Sequence, residues 1–362
     1  MVTVFLYAQE EAISRNISFL IHKSLRRKKD MKKTKRIEEM IEEKENSLET
    51  KETIRPISFD KYIGQEKIKE IVSVYIKAAK ARNESLEHML FYGPPGLGKT
   101  TIAGIIANEM GKKIHILTGP NLEKPCDIIS VLTCAEEGDI IFIDEIHRIN
   151  RTVEEMLYPA MEDFAVDIKV GEGVNQKCIR LDLPHFTLIG ATTRVGMLTA
   201  PLRDRFGLVN RMEYYTENEL CQIVQNSSDI LGVTIDDEAK IEIAKRSRGT
   251  PRLANRILKQ VRNFAQVKYN NQISKSVVDN VLKFIGIDDC GLDDNDIRYL
   301  TCIHMLGDGK AVGLTTLASA IGEDTGTIED VYEPYLLNMG LINKTPRGRI
   351  LTEKAKKHLN LD

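Results

Sequence analysis

The chain has 362 residues, 42% hydrophobic and 29% charged, with a formal net charge of −2. That length suits two or three domains rather than one core. Near-neutral charge means that any nucleic-acid contact needs a local basic face, and no stretch approaches the roughly 18 apolar residues of a membrane span. Six cysteines (Cys126, Cys134, Cys178, Cys221, Cys290, Cys302) form no Cys-x-x-Cys pair, which argues against zinc or disulfides and for thiols in a reducing cytoplasm.

Residues 1–53 read as a charged extension. A mildly apolar start precedes Arg26-Arg27-Lys28-Lys29, the reverse of signal-peptide order. Three readings stay open: a disordered or frayed helix, an untranslated stretch with Met31 as the start, and a transit peptide, against which Glu10 and Glu11 stand. After Arg55-Pro56 the pattern turns globular. His88 to Tyr92 reads as a strand, Thr101 to Met110 as a helix, and Lys113 to Leu117 as a second strand. Ile140 to Ile143 is a third strand, ending at Asp144-Glu145, and Phe186 to Ala191 a fourth. The alternation predicts an α/β fold, a parallel sheet with helices on both faces.

Between a helix at 152–163 and the fourth strand, Ala165–Val170 and Gln176–Leu183 flank Gly171-Glu172-Gly173, a hairpin signature. Glu217 to Phe284 is helical in pattern, broken at Gly249-Thr250-Pro251. Gly286–Leu292 reads as a linker, and the tail ends in short helices and a Thr345-Pro-Arg-Gly-Arg349 turn. The expected divisions are 54–215, 216–286 and 287–362.

Gly93-Pro94-Pro95-Gly96-Leu97-Gly98-Lys99-Thr100 fits G-x-x-x-x-G-K-[ST]. Gly96 and Gly98 let the backbone curl so that its N–H groups face phosphate oxygens at a helix N-terminus. Lys99 then reaches the β- and γ-phosphates of ATP, and the Thr100 hydroxyl ligates Mg²⁺. A Gly-rich surface loop is the bland alternative, but a strand before and a helix after supply the context the motif requires.

Asp144 and Glu145 close a buried strand: Asp144 suits the Mg²⁺ shell, and Glu145 suits polarising the attacking water. Thr192-Thr193 ends the fourth strand, where a hydroxyl can sense the γ-phosphate. In Pro201-Leu202-Arg203-Asp204-Arg205-Phe206 an arginine can reach a neighbouring subunit and offset charge on the transferring group; its alternative is a surface ion pair with Asp204. Arg252 opens a helix and can fold over the nucleotide; its alternative is a solvated helix surface. In the tail, Lys344, Arg347 and Arg349 form a basic edge suited to sequence-independent DNA phosphate contact. No aromatic platform for single strands lies beside it.

These strings resemble the RuvB family of AAA+ ATPases. The resemblance rests on Gly93–Thr101, Phe142–Arg148, Leu157–Phe164, Gly190–Arg194, Pro201–Gly207, Arg246–Arg252 and Thr345–Arg349, and covers about residues 54 to 360. It implies a large AAA+ domain, a small helical domain and a C-terminal winged-helix domain. It also implies a homohexameric ring on double-stranded DNA that drives Holliday-junction branch migration beside RuvA and RuvC. Residue by residue, Lys99, Thr100 and Thr101 hold nucleotide, Asp144 and Glu145 hydrolyse it, and Thr193 resembles sensor 1. Arg205 resembles a trans-acting finger and Arg252 sensor 2.

Ile54, Arg55 and Tyr215 match the family's adenine-side positions, and Glu162-Asp163-Phe164 match a string assigned to its nucleotide site. The hairpin around Gly171–Gly173, with Ile168, Val170 and Val174, resembles the element that docks on RuvA. Two positions depart: Ile54 stands for the usual Leu, and Lys344 for an Arg whose bidentate fork it lacks. A clamp-loader ATPase and a DNA-binding adaptor with an inert nucleotide fold remain as rivals. The first predicts a Ser-Arg-Cys finger motif and no winged helix; the second predicts loss of Lys99, Asp144, Glu145 and Arg205.

Overall fold

Four short apolar runs and one polar one build the central sheet. The computed structural model describes residues 54–170 and 177–361. The extension 1–53 and the hairpin tip with Gly171, Gly173 and Val174 lie outside the described residues, as does the Val170 side chain. In chain order the strands are β1 (Met89–Tyr92), β2 (Ile114–Thr118), β3 (Ile140–Asp144), β4 (Ala165–Val170), β5 (Lys177–Asp182), β6 (Thr187–Thr192) and β7 (Leu208–Arg211). Five of them form a parallel sheet ordered β2-β3-β6-β1-β7.

Every residue of β6 and the first four of β3 are buried, as expected for strands covered on both faces. The fifth strand, β7, was not expected from sequence. It reads Leu-Val-Asn-Arg with a single buried position, so it carries little apolar signal and owes its place to pairing with β1.

Helices Glu66–Arg82 and Lys99–Met110 cover one face of the sheet, and Pro125–Cys134 and Arg151–Glu162 the other. The first core continues without a break through Tyr215, Leu220 and Val224 into Ile257, Val261 and Val278 of the helical region. That region holds helices Glu217–Ile230, Asp237–Lys245, Pro251–Lys268 and Lys275–Phe284. It also contains a two-residue parallel pair, β8 (Thr234–Ile235) with β9 (Gln272–Ile273), too short to register in a pattern of helices. Thr216 and Glu219 form a reciprocal cap that starts its first helix.

The C-terminal part has its own core, with Tyr299, Leu300, Leu317 and Leu336 buried. Helices Asp294–Gly307 and Leu314–Ile321 precede a continuous helical run whose middle turn, Ile328–Tyr332, is a π-helix. The hairpin β10 (Ile342–Thr345) and β11 (Gly348–Leu351) and the helix Glu353–His358 complete a winged helix. No helix among the described residues is long and apolar enough to cross a membrane.

Candidate active site

The carboxyl ends of parallel strands are where α/β sheets bind ligands. Here β1, β3 and β6 end together: Tyr92 registers with Thr192, and Ile143 with Gly190. The loop after β1 runs Gly93–Gly98 into the helix Lys99–Met110. Gly98 has φ +97°, and a Cβ there would come within 3.1 Å of the Tyr62 hydroxyl. Gly96 has φ +85°, and a Cβ would come within 3.0 Å of the Arg252 Cβ. Both glycines are therefore required by the backbone turn and by what packs against it.

The Lys99 ammonium is folded back into this loop. It donates to the carbonyls of Gly93 (2.8 Å) and Pro94 (2.9 Å). Burial lowers its pKa, while the nearby Glu145 and Asp144 carboxylates pull the other way. Thr100 and Thr101 lie in the first turn of the same helix, and Asn108 further along it donates to the Ile57 carbonyl (3.1 Å). That bond fixes the segment following Ile54 and Arg55 against the P-loop helix, with Ile54 half-buried and Arg55 exposed.

At the end of β3 the Glu145 backbone N–H donates to Asp144 Oδ1 (3.0 Å), and Glu145 adopts φ +49°, which turns its side chain out of the strand direction. The Thr193 hydroxyl donates to Glu145 Oε2 (3.3 Å), so two residues 48 apart in sequence meet over the sheet edge. A third group, His147, was not singled out from sequence. Its Nδ1 lies 3.2 Å from Glu145 Oε2 and 2.9 Å from the Thr192 hydroxyl. Desolvation lowers its pKa, while the Glu145 carboxylate pulls the other way.

The helical domain closes the back of the loop. Pro251 occupies the first turn of its helix, and the free N–H of Arg252 donates to the Gly96 carbonyl (3.3 Å). The Tyr215 hydroxyl donates to the Leu97 carbonyl (3.2 Å) and pairs with Tyr62 Oη (3.0 Å), whose own proton it can accept, and its burial pushes its pKa up to about 12. Tyr215 thus braces the loop from behind.

Arg205 stands apart from this group. It donates to Glu162 Oε2 (2.9 Å) and to the Pro201 carbonyl (2.7 Å), and it stacks 4.5 Å over the Tyr158 ring. Its ion-pair partner is Glu162 and not the Asp204 weighed from sequence. Asp163 pairs with Arg180 (2.7 Å), and Phe164 packs among His88, His185 and Phe186. Glu162, Asp163 and Phe164 therefore gather on the Arg205 side of the domain, and none of their observed partners belongs to the P-loop.

Comparison with known proteins gives the architecture a family. Three family models match in succession: the Holliday junction DNA helicase RuvB P-loop domain over residues 54–212, the RuvB AAA lid domain over 215–288, and the RuvB C-terminal winged helix domain over 289–360. The chain belongs to the RuvB family. It is 54% identical over 324 residues to the Holliday junction branch migration complex subunit RuvB of Fusobacterium nucleatum, covering 89% of this chain and 98% of that one. The solved RuvB Holliday junction branch migration motor of Thermotoga maritima superposes with a TM-score of 0.78 at 46% identity, over 85% of this chain and 99% of that one. A point variant of the same Thermotoga protein gives 0.80 at 47% identity with the same coverage. The winged-helix match removes the clamp-loader reading.

The wing residues that the resemblance expects to face DNA sit in different environments. Arg347 is exposed at the β10–β11 turn, as expected. Arg349 is 6% exposed and faces inward. Its guanidinium pairs with Glu333, accepting no solvent role, and also donates to Glu329 (3.1 Å). Arg347 lies in the turn, whereas Arg349 lies within β11, where its guanidinium reaches Glu329 and Glu333 of the helical run. Lys344, directly opposite Arg349, is held by Glu329 at 2.9 Å. Two cations facing each other across a hairpin would repel; the shared carboxylates remove that cost.

The apolar hairpin also differs from expectation in detail. Ile168 packs partly into the second core, while Ile179 and Leu181, not singled out from sequence, are exposed on the same face of β4–β5.

Proposed function

We propose that the chain is an ATP-hydrolysing motor that drives Holliday-junction branch migration as a homohexameric ring on duplex DNA, working with RuvA and RuvC. The observation that carries this reading is the convergence at one sheet edge of the Lys99 loop, Asp144, Glu145 and Thr193, with the Arg252 helix resting on the loop. Family membership supports the same conclusion. Retention of all these groups also speaks against the inert adaptor.

In this reading the γ-phosphate displaces Lys99 from two neutral carbonyls, an exchange that costs little because charge-assisted bonds are the stronger kind. Glu145 takes a proton from water as the water oxygen bonds to the γ-phosphorus. The bond from that phosphorus to the β,γ-bridging oxygen breaks, leaving ADP and inorganic phosphate. Thr193 orients Glu145, and Arg252 reports the γ-phosphate to the helical domain. Thr101 with Ile54, Arg55 and Tyr215 holds the rest of the nucleotide.

Magnesium fits the donor set. Thr100 offers a hydroxyl and Asp144 a carboxylate whose Oδ2 is not engaged by the Glu145 N–H. Two hard oxygen donors are what Mg²⁺ takes from protein when phosphates supply others, and the ion would neutralise phosphate charge.

Arg205, with Glu162, Asp163 and Phe164 around it, serves the nucleotide of the neighbouring subunit. Arg347 and Lys344 contact DNA phosphate, and the β4–β5 hairpin docks on RuvA through apolar residues including Ile168, Ile179 and Leu181. Arg349 is assigned to holding the wing.

The test is migration of a synthetic four-way junction with ATP, with and without added RuvA. Movement that needs both ATP and the chain is expected, and none under either condition overturns the reading. Arg205→Ala and Lys99→Ala proteins, each inactive in hydrolysis, should regain turnover when mixed, because some interfaces then pair an intact loop with an intact arginine. A mixture as inactive as its components removes the shared site.

A further inference from the structure

The hydrolytic carboxylate is connected by a continuous set of contacts to the winged-helix domain. Glu145 Oε2 faces His147 Nδ1 at 3.2 Å, and the same nitrogen lies 2.9 Å from the Thr192 hydroxyl. The hydrogen bond to Thr192 fixes the imidazole ring with its Nδ1 edge toward the Glu145 carboxylate. The Thr192 hydroxyl accepts from the Arg194 backbone N–H (3.0 Å). The Arg194 side chain then reaches beyond the ATPase domain: its Nε donates to Asp330 Oδ1 at 2.5 Å, while its Nη1 stays near Met197 Sδ at 3.7 Å. Asp330 lies 136 residues away, in the π-helical turn Ile328–Tyr332.

That turn is an unusual place for an ion pair. A π-turn inserts an extra residue into a helix and often marks a functional position. Glu329 within it and Glu333 immediately after it are the carboxylates that hold Lys344 and Arg349 of the β10–β11 wing. One short segment therefore grips the wing on one side and the sensor loop on the other.

We propose that Arg194–Asp330 is a positioning contact through which the winged-helix domain restrains Glu145, with His147 and Thr192 as the intermediate clamp. The inference rests on the reading of Glu145 as the water-polarising carboxylate. With the winged helix docked as it is here, Glu145 Oε2 accepts from Thr193 and faces His147 Nδ1 at 3.2 Å, which holds one oxygen of the base and fixes its direction. Displacing the π-turn, as a load on the wing would do, withdraws Asp330 from Arg194. The loop bearing Thr192–Arg194 relaxes, and the carboxylate is freed to face water. Neither Arg194 nor Asp330 touches the proposed nucleotide groups, so the effect is on turnover and not on nucleotide affinity.

The experiment uses the full chain and measures ATP turnover with and without linear duplex DNA, together with the KM for ATP and the duplex affinity. Asp330→Asn keeps the size of the side chain and removes its charge; Asp330 is partly exposed, so folding is retained. The expected result is a rise in duplex-free kcat of roughly fivefold or more, at the low end of ordinary coupling between sites. KM for ATP and the duplex-saturated kcat should stay near those of the unaltered chain. The exchanged pair Arg194→Asp with Asp330→Arg should bring the duplex-free rate back down.

Unchanged rates in Asp330→Asn overturn the proposal. So does an equal fall with and without duplex, or a rise that the exchanged pair fails to reverse. Glu145→Gln serves as the separate control. If it hydrolyses ATP normally, the reading of Glu145 itself fails; if it is inactive while Asp330→Asn is silent, only the restraint fails.

Discussion

Two loops in this chain hold cations suited to phosphate, and they hold them in opposite ways. Lys99 in the loop after β1 is satisfied by two backbone carbonyls, neutral acceptors that a phosphate oxygen outcompetes. Arg349 in the winged-helix hairpin is satisfied by the buried Glu333 and by Glu329, charged acceptors that a phosphate displaces at greater cost. A basic residue is released to a ligand more cheaply the weaker its resting partners are. The difference separates a binding residue from a structural one more reliably than the presence of charge in a turn.

The strongest way to break this comparison is at the nucleotide loop. Glu145→Gln keeps the hydrogen-bonding shape of the side chain but removes the base. Turnover should fall by roughly two orders of magnitude or more, the usual contribution of a positioned general base. Nucleotide binding, followed by fluorescence of a labelled analogue, should be retained. Preserved turnover would mean that the water is activated by some other group.

The wing provides the next largest effect. Removing Arg349 leaves Glu333 charged and buried, and breaking such a pair costs about 3–5 kcal/mol. Arg349→Ala should therefore lower the unfolding midpoint of the winged-helix domain clearly. Arg349→Met combined with Glu333→Gln should recover a good part of the loss, since no buried charge is then stranded. A chain that loses DNA affinity on Arg349→Ala with unchanged stability would return Arg349 to the phosphate-facing side.

These two regions also mark where the sequence was legible. The β1 loop, the β3 acidic pair and the alternation of strands and helices follow local rules: glycines where φ must be positive, apolar runs where a strand is covered on both faces. Such features are set within about ten residues of the chain. The ion pairing of Arg349 was not legible because its partners Glu329 and Glu333 lie far back on another element. β7 was missed because a strand paired on one side needs little apolar content. His147 carried no separate signal, since a histidine after an acidic pair reads equally as a solvated turn; only the return of Thr192 to its ring distinguishes it. The pairing of Arg194 with Asp330 is of the same kind, set by how two domains meet.

Behind the nucleotide loop, Tyr215→Phe probes a smaller term. The substitution removes a buried hydroxyl that donates to the Leu97 carbonyl and pairs with the Tyr62 hydroxyl. Leaving those groups unmet should cost about 1–3 kcal/mol of stability, read by chemical denaturation. If Tyr215 acts by bracing, the KM for ATP rises in step with the looseness of the loop. A large rise in KM with no loss of stability would instead place the hydroxyl on the nucleotide itself.

The smallest effect is expected at Arg347, and it is the cleanest test of the comparison. Arg347 is exposed at the turn between β10 and β11, and no carboxylate among the described residues pairs with it. A cation free at rest and removed by Arg347→Ala should change neither the unfolding midpoint nor duplex-free turnover. It should weaken duplex binding equally for all sequences and reduce the slope of log affinity against log salt by about one unit, the signature of one lost phosphate contact. Lys344→Ala should do less to that slope, because Glu329 already competes for its ammonium. If the order is reversed, with Lys344 controlling the slope and Arg347 silent, then DNA approaches the side of the hairpin and not its tip, and availability at rest fails as the criterion for which cation binds.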